Sequence, residues 1–242
     1  MVRVLVRSAS LIEVLAAAGR KGLALREAAR CADLPPATAT RLLHDLCSLG
    51  WADQQGQRGR YRLGPRLTAL GRRRAYHGRL VEAATPVLAR LAGRHQARVT
   101  LSVLRRSRRL ILIQHGDSRG KEALSEYDDL FRSASGRMLI AQLGWASRRR
   151  LVRALDLPPI RLWPGVQSWE DLCAVCAGAR AQGWIENLSG RDVVGVGVPV
   201  PDDEGGVAAI GVAVEKSRWN GAIIQAGLRA ARAIASRLAH AD

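Results

Sequence analysis

The sequence predicts an α+β chain in two unequal parts: a small, helical, strongly basic part, then a larger part built on an antiparallel sheet. Three observations predict it. Apolar residues recur at helical spacing through most of the first fifty positions, and two short extended runs follow. Strand-length apolar stretches separated by turn-rich sequence occupy residues 98–115 and 193–214. The charge is also uneven. Residues 1–78 hold 14 Lys and Arg against 5 Asp and Glu, while residues 79–242 hold 24 against 16, so the first third is the more densely basic.

The first part is organised by LPPATATRLLHDLCSL, residues 34–49. Ala39, Leu42, Leu43, Leu46 and Leu49 fall on one helical face, and Thr38, Arg41 and His44 or Asp45 on the other. Pro35 and Pro36 mark the start, because proline fits the first helical turn and little else of a helix. Upstream, 25–31 reads as a shorter helix, with Ala32-Asp33 as a tight turn in which Asp can take a left-handed conformation. Leu11, Val14 and Leu15 give an amphipathic first helix before both. Two helices joined by such a turn are a helix-turn-helix in sequence, although the same stretch also suits any helical bundle. Trp51-Ala-Asp and QQGQRGRYRL then read as a hairpin with Arg58, Arg60 and Arg62 in or beside its turn. A helix-turn-helix followed by a basic hairpin is a winged helix, whose arginines are placed to meet phosphates or a narrow minor groove.

In the larger part, 66–77 reads as a linker helix with Leu67 and Leu70 on one side and Arg72–Arg74 outward. Residues 80–95 form a further helix with Pro86 near its first turns. Two extended runs, 98–104 and 110–115, are joined by RRSRR, and Asp117–Lys121 is a polar loop. LFRSASGRMLIAQLG opens a helix on small residues, which leaves backbone N–H groups facing open space that suits an anion or a carbonyl. Ser147–Leu155 and Ser168–Gln182 are helices, the second opened by a Ser168-x-x-Asp171 capping box. VVGVGVPV and GVAAIGVAV form a hairpin across PDDEGG, and Asn220 caps a last helix, 221–239.

Residues 2–75 resemble the DNA-binding half of the IclR family of bacterial transcriptional regulators, through VRSASLIEVLAAA, GLALREAARCADLPPATATRLLHDLCSLGWAD and GRYRLGPRLTALG. Pro36 and Ala37 depart from that family's usual Lys and Ser. The stretch 130–144 resembles the family's LHATASGKALLA, and the closing hairpin its last motif. The resemblance implies a winged helix-turn-helix domain at 1–64, a linker helix at 65–78, and a GAF-like effector-binding and oligomerisation domain with an antiparallel sheet at 79–242. It implies that the chain binds double-stranded DNA at a near-palindromic operator as a homodimer or tetramer, more often as a repressor. Thr38, Thr40, Arg41 and His44 would then lie nearest base edges or flanking phosphates, Arg7 would reach the backbone or minor groove, and Arg58 and Arg60 would act from the wing. A small organic effector, a carboxylate or aromatic compound, would sit among Ala134, Ser135, Gly136, Glu186, Val193, Gly195, Gly211 and Ala213. Gly195, Gly211 and Ala213 stand where relatives carry polar side chains. The expected cavity is therefore roomier and more apolar, with a ligand larger and less charged than a two- or three-carbon acid.

The composition limits the alternatives. An apolar content of 48% can bury ordinary cores, and a net charge of +17 favours a polyanionic partner, although arginine-rich, alanine-rich usage also follows from a GC-rich genome. No apolar run reaches the roughly 18 residues of a membrane span, so no membrane partner is expected. The charged, then apolar, N-terminus resembles a signal peptide, but Arg7 and Glu13 interrupt it, and a cytoplasmic protein is expected. Cys173-Ala-Val-Cys176 has no second pair or nearby His, so neither metal nor cofactor is expected, and Cys31 and Cys47 read as small core residues. Five scattered histidines, no nucleophile elbow and no phosphate loop argue against an enzyme. Asp202, Asp203 and Glu204 read as a solvated turn, and His115 as a structural residue at a strand end. The alternative is a small-molecule-binding or catalytic domain whose basic N-terminal module binds RNA or a protein partner.

Overall fold

The structure is a computed structural model that describes residues 2–56, 59–72, 76–116, 124–202 and 204–240, without the side chains of 68, 71 and 72. The chain divides into two compact units, Met1–Ala75 and Tyr76–Asp242.

In the first unit, α1 (Arg3–Ala18), α2 (Leu25–Cys31) and α3 (Pro36–Ser48) pack around one apolar centre. Leu11 and Leu15 come from α1, Ala28 and Ala29 from α2, and Ala39, Leu42, Leu43 and Leu46 from α3. Between α2 and α3 the chain turns through Asp33 at φ 51°, the left-handed conformation that a short polar side chain tolerates. Leu49, expected on the buried stripe of α3, is half exposed. The helix ends at Ser48 and Gly50 at φ 71° turns the chain away. Cys31 is exposed as well, because Ala32 takes the core position beside it.

Strands β1 (Ala52–Gln54) and β2 (Tyr61–Leu63) pair antiparallel with Ala52 opposite Leu63. Leu23 adds a bridge to Tyr61, the two residues exchanging N–H···O bonds of 2.8 and 2.7 Å. That bridge requires glycine at position 22. Its φ is +60°, and a Cβ there would lie 2.5 Å from the Tyr61 carbonyl oxygen. Helix α4 (Pro65–Arg72) follows. It is shorter than the linker helix read from the sequence: Arg73–Ala75 lie outside the described residues, and His77, at φ 49°, is not helical.

In the second unit, helix α5 (Gly78–His95) carries Pro86 in its middle rather than near its start. The sheet is six-stranded and antiparallel in the order β5-β4-β3-β8-β7-β6. Its strands are β3 (Arg98–Arg105), β4 (Arg108–His115), β5 (Ser125–Tyr127), β6 (Ile185–Asn187), β7 (Val193–Val200) and β8 (Ala208–Glu215). Alternation along the strands sorts the two faces. Val99, Leu101 and Val103 of β3, Val196 and Val198 of β7, and Ile210 and Val212 of β8 pack on α5 and on α9 (Gly221–Ala239). The other face is covered by α6 (Ala134–Gln142), with α7 (Trp145–Leu155) and α8 (Trp169–Gln182) outside it. The Ser168–Asp171 capping box of α8 is formed in both directions, and Asn220 accepts a hydrogen bond from the Ala222 N–H at the start of α9. Helix α6 lies so close to β7 that a Cβ at Gly197 would come within 2.1 Å of the Ala134 carbonyl oxygen.

The acidic turn between β7 and β8 is not the solvated feature expected. The Asp202 side chain is 2% exposed, with its Oδ1 3.0 Å from His77 Nδ1, and Glu204 Oε1 accepts the His77 backbone N–H at 2.6 Å. Glu204 thus takes the backbone N–H of the residue that precedes α5, and Asp202 holds its ring. Asp203 lies outside the described residues.

Gly22→Ala should destabilise the first unit by about 1–3 kcal/mol, the cost of a strained left-handed residue plus the clash. The loss should appear as faster hydrogen exchange at the Leu23 and Tyr61 amides of the full chain. Unchanged protection would remove the argument for this glycine.

Candidate functional site

Two surfaces carry the chemistry, one in each unit. In the first unit, Arg7 is exposed on α1, and Arg41 and His44 are exposed on α3 with Thr38 half-buried beside them. Thr40 is exposed, but its hydroxyl donates to the Pro36 carbonyl one turn back at 2.8 Å, leaving only its acceptor capacity outward. The wing arginines are engaged within the unit. Arg60 donates to Glu27 Oε2 at 2.8 Å and to the Gly22 carbonyl at 3.1 Å, and Arg62 donates to Asp53 through both Nε and Nη2. Each guanidinium stays about half exposed, so these pairs hold the hairpin to α2 and to itself while presenting positive charge. Arg58 lies outside the described residues, as do Arg73 and Arg74 and the Arg72 side chain.

In the second unit a cavity of about 210 Å³ opens between the N-terminus of α6 and strands β3, β7 and β8. Ala134, Ser135, Val193, Gly195, Gly211 and Ala213 line it. Gly136 and Glu186 do not. The Gly136 N–H is consumed by the Ser133 hydroxyl, which caps α6 at 3.1 Å. Glu186 pairs with Val196 on β7, and strand alternation gives the cavity its neighbour Asn187, which pairs with Gly195. A Cβ at Gly195 would lie 2.6 Å from the Val212 carbonyl oxygen, so glycine there reflects close strand approach rather than an open place for a side chain.

The lining corrects the expectation of an apolar cavity. Arg98 and Thr100 come from β3, Arg109 from β4, and Asp129 and Arg132 from the segment before α6. The sequence reading took RRSRR only as the connection between two extended runs and so missed Arg109. In fact Arg106 and Ser107 alone make the turn, at φ 47° and 63°, and Arg109 enters the strand. Its guanidinium is 3% exposed and pairs with both carboxylate oxygens of Asp129 at 2.7 and 2.6 Å. Its remaining nitrogen donates to Ser102 Oγ at 3.0 Å and Ser135 Oγ at 3.3 Å. The fork-shaped cation thus fixes Ser135 at the cavity wall. Arg132 is exposed at the mouth and makes no ion pair among the described residues. The Ala134 and Ser135 N–H groups, at the first turn of α6, have no acceptor among the described residues.

Behind the cavity the CxxC pair lies on α8 with both thiols free and Cys176 buried. Burial pushes the Cys176 thiol up to about 11. No cluster of three or more possible metal-binding side chains occurs among the described residues. None of their helices is long and apolar enough to cross a membrane.

Comparison with known proteins places both units. Residues 4–56 match the family model of the IclR helix-turn-helix domain, and residues 75–240 match that of the bacterial transcriptional regulator IclR C-terminal domain. No curated protein matches by sequence. Among solved structures, an IclR homologue from Microbacterium hydrocarbonoxydans complexed with 4-hydroxybenzoate is 25% identical, with a TM-score of 0.79 over 98% of this chain and 100% of that one. A transcriptional regulator from Rhodococcus sp. RHA1 is 22% identical, with a TM-score of 0.75 over the whole of both chains. The IclR of Thermotoga maritima is 16% identical, with a TM-score of 0.72 over 99% of this chain and 98% of that one.

Arg109→Met should lower the unfolding free energy by about 3–5 kcal/mol in urea, because it breaks a guanidinium–carboxylate pair whose cation is buried. The double change Arg109→Met/Asp129→Leu should recover most of that loss, and equal losses in both would discount the pair. At pH 8 a thiol reagent should modify exposed Cys31 in the native protein but reach Cys176 only on unfolding. Comparable labelling rates at the two would contradict this packing.

Proposed function

The chain belongs to the IclR family of bacterial transcriptional regulators, with a DNA-binding and an effector-binding domain, and from that premise we propose that it is a cytoplasmic, ligand-responsive repressor. On this reading it binds a near-palindromic operator as a homodimer or tetramer. Two copies of α3 enter successive major grooves, with Thr38, Arg41 and His44 toward base edges and Thr40 accepting from a water that bridges to a flanking phosphate. Arg7 and the wing, with Arg58 and Arg60, meet the backbone or minor groove. Arg60 contributes partly through position, since it ties the hairpin to Glu27. The domain limits proposed are 1–64, 65–78 and 79–242.

The effector is a small carboxylate, aromatic or otherwise. The observation that carries this is the cavity at the α6 N-terminus, where arginines and two open backbone N–H groups converge. Its volume falls below the roughly 300–1,000 Å³ of drug-sized pockets, which fits one ring or a short chain. The benzoate-type ligand of the Microbacterium homologue is of that size and charge. Effector binding shifts the population between states of different operator affinity and so couples the two sites.

Fluorescence anisotropy with duplex fragments from the DNA flanking the chain's own gene tests the reading, with and without 4-hydroxybenzoate. Specific retention of one fragment is expected, with Arg41→Ala costing about 1–3 kcal/mol and relaxing sequence preference. A purified protein that ignores all duplexes at low ionic strength would overturn the proposal.

A further inference from the structure

Helix α7 carries a tryptophan that its packing does not need. Trp145 is 63% exposed, while Arg148 and Leu151 are the residues that turn inward. Its ring meets that of Trp169, at the start of α8, edge to face at 6.2 Å. The Arg149 guanidinium lies over both rings, 5.5 Å from the centre of Trp145 and 5.3 Å from that of Trp169. Attraction to two ring faces holds this long side chain in one place on the surface.

Beside it lies a hollow of about 350 Å³, bounded by Arg149, Val152, Arg153, Asp156, Leu157 and Trp169. That volume is within the roughly 300–1,000 Å³ of ordinary ligand pockets. Val152, Leu157 and Trp169 are half-buried and give it an apolar wall, and its rim carries both signs of charge. Arg153 and Asp156 stand three residues apart, a spacing at which opposite charges on a helix ordinarily pair. Here neither side chain makes an ion pair or hydrogen bond among the described residues. The backbone supplies the reason. Helix α7 ends at Leu155, and Asp156 leaves it at φ 60°, off the helical spacing. A pinned cation, a free cation and a free anion therefore share one apolar-walled hollow.

Opposite charges held apart around an apolar wall match a zwitterion with an apolar side chain. An apolar anion would leave Asp156 unanswered, and an apolar cation the two arginines. We propose that the hollow between α7 and α8 binds a free α-amino acid with an aromatic or branched apolar side chain. Arg149 and Arg153 take its carboxylate, Asp156 takes its ammonium group, and its side chain lies against Trp169, Val152 and Leu157. The site is separate from the α6 cavity and does not depend on what that cavity holds.

Titration calorimetry of the full-length protein with L-phenylalanine, L-leucine and glycine tests it. L-Phenylalaninamide and N-acetyl-L-phenylalanine serve as the probes that each lack one charge. L-Phenylalanine or L-leucine should bind about tenfold or more tightly than glycine, which leaves the apolar wall unused. Each one-charge probe should bind about fivefold or more weakly than L-phenylalanine. Arg153→Gln and Asp156→Asn, both at exposed positions, should each weaken the apolar amino acid by about the same factor. Arg150→Gln, on the same helix but outside the hollow, should change it less than about twofold. N-acetyl-L-phenylalanine binding as well as L-phenylalanine overturns the proposal, and so does amino-acid binding that survives both substitutions. Failure of both apolar amino acids to bind at about 10 mM overturns it as well.

Discussion

Helix α6 is the part of the second unit on which the rest depends, and it is held by arginines that, among the described residues, donate to carbonyls rather than to carboxylates. Residues Ala134 to Ala141 are all buried, so the backbone groups at the ends of this short helix cannot turn to solvent. Arg148, itself 3% exposed, donates to the carbonyls of Ile140, Ala141 and Leu143, and Arg180 donates to Ala141 as well. Positive charge at a helix C-terminus also opposes the helix dipole. Arg137, in the middle of α6, donates to the carbonyls of Phe131, Glu186 and Leu162 and lies over the Trp163 ring at 5.0 Å. Burial without an anion lowers its pKa to about 10. These guanidinium groups fix the C-terminal end and the flank of α6, while Gly197 lets its first turn settle on the sheet. The N-terminus is then left facing the cavity, with its donors in fixed positions.

Arginine consequently does two different jobs in this chain. Inside the second unit it satisfies carbonyls and orients hydroxyls, as Arg109 does for Ser102 and Ser135. On the first unit it remains at the surface, where Arg41 is exposed and Arg60 and Arg62 brace the hairpin. The excess of positive charge therefore cannot be assigned wholesale to a polyanion. A lysine could not replace Arg109, because a single ammonium cannot engage both oxygens of Asp129 and two hydroxyls with a fixed fork.

The elements that were legible in the sequence are those set by local periodicity. The leucines of α3, the valines of β7 and the caps at Ser168 and Asn220 each follow from contacts within a few residues or across one hairpin. The six cavity-lining residues among those expected came from resemblance rather than from periodicity. Arg109, Asp129, Thr100 and Arg132 were not legible. Their roles depend on partners from different elements, and a basic or acidic run reads as solvent-facing until the fold supplies a partner. The same holds for Asp202 and His77, which lie 125 residues apart. Leu49 failed for the opposite reason: the periodicity continued one residue beyond the helix that gave it meaning.

The His77–Asp202–Glu204 contacts have a mechanical consequence. Strands β7 and β8 form the cavity floor at one end and carry the acidic turn at the other. That turn grips the first residues of the second unit, immediately after the chain leaves Ala75. The hairpin is thus a tether between a floor and a doorway. A displacement of the floor along the strands bears directly on His77, the residue that precedes α5, through those two carboxylates.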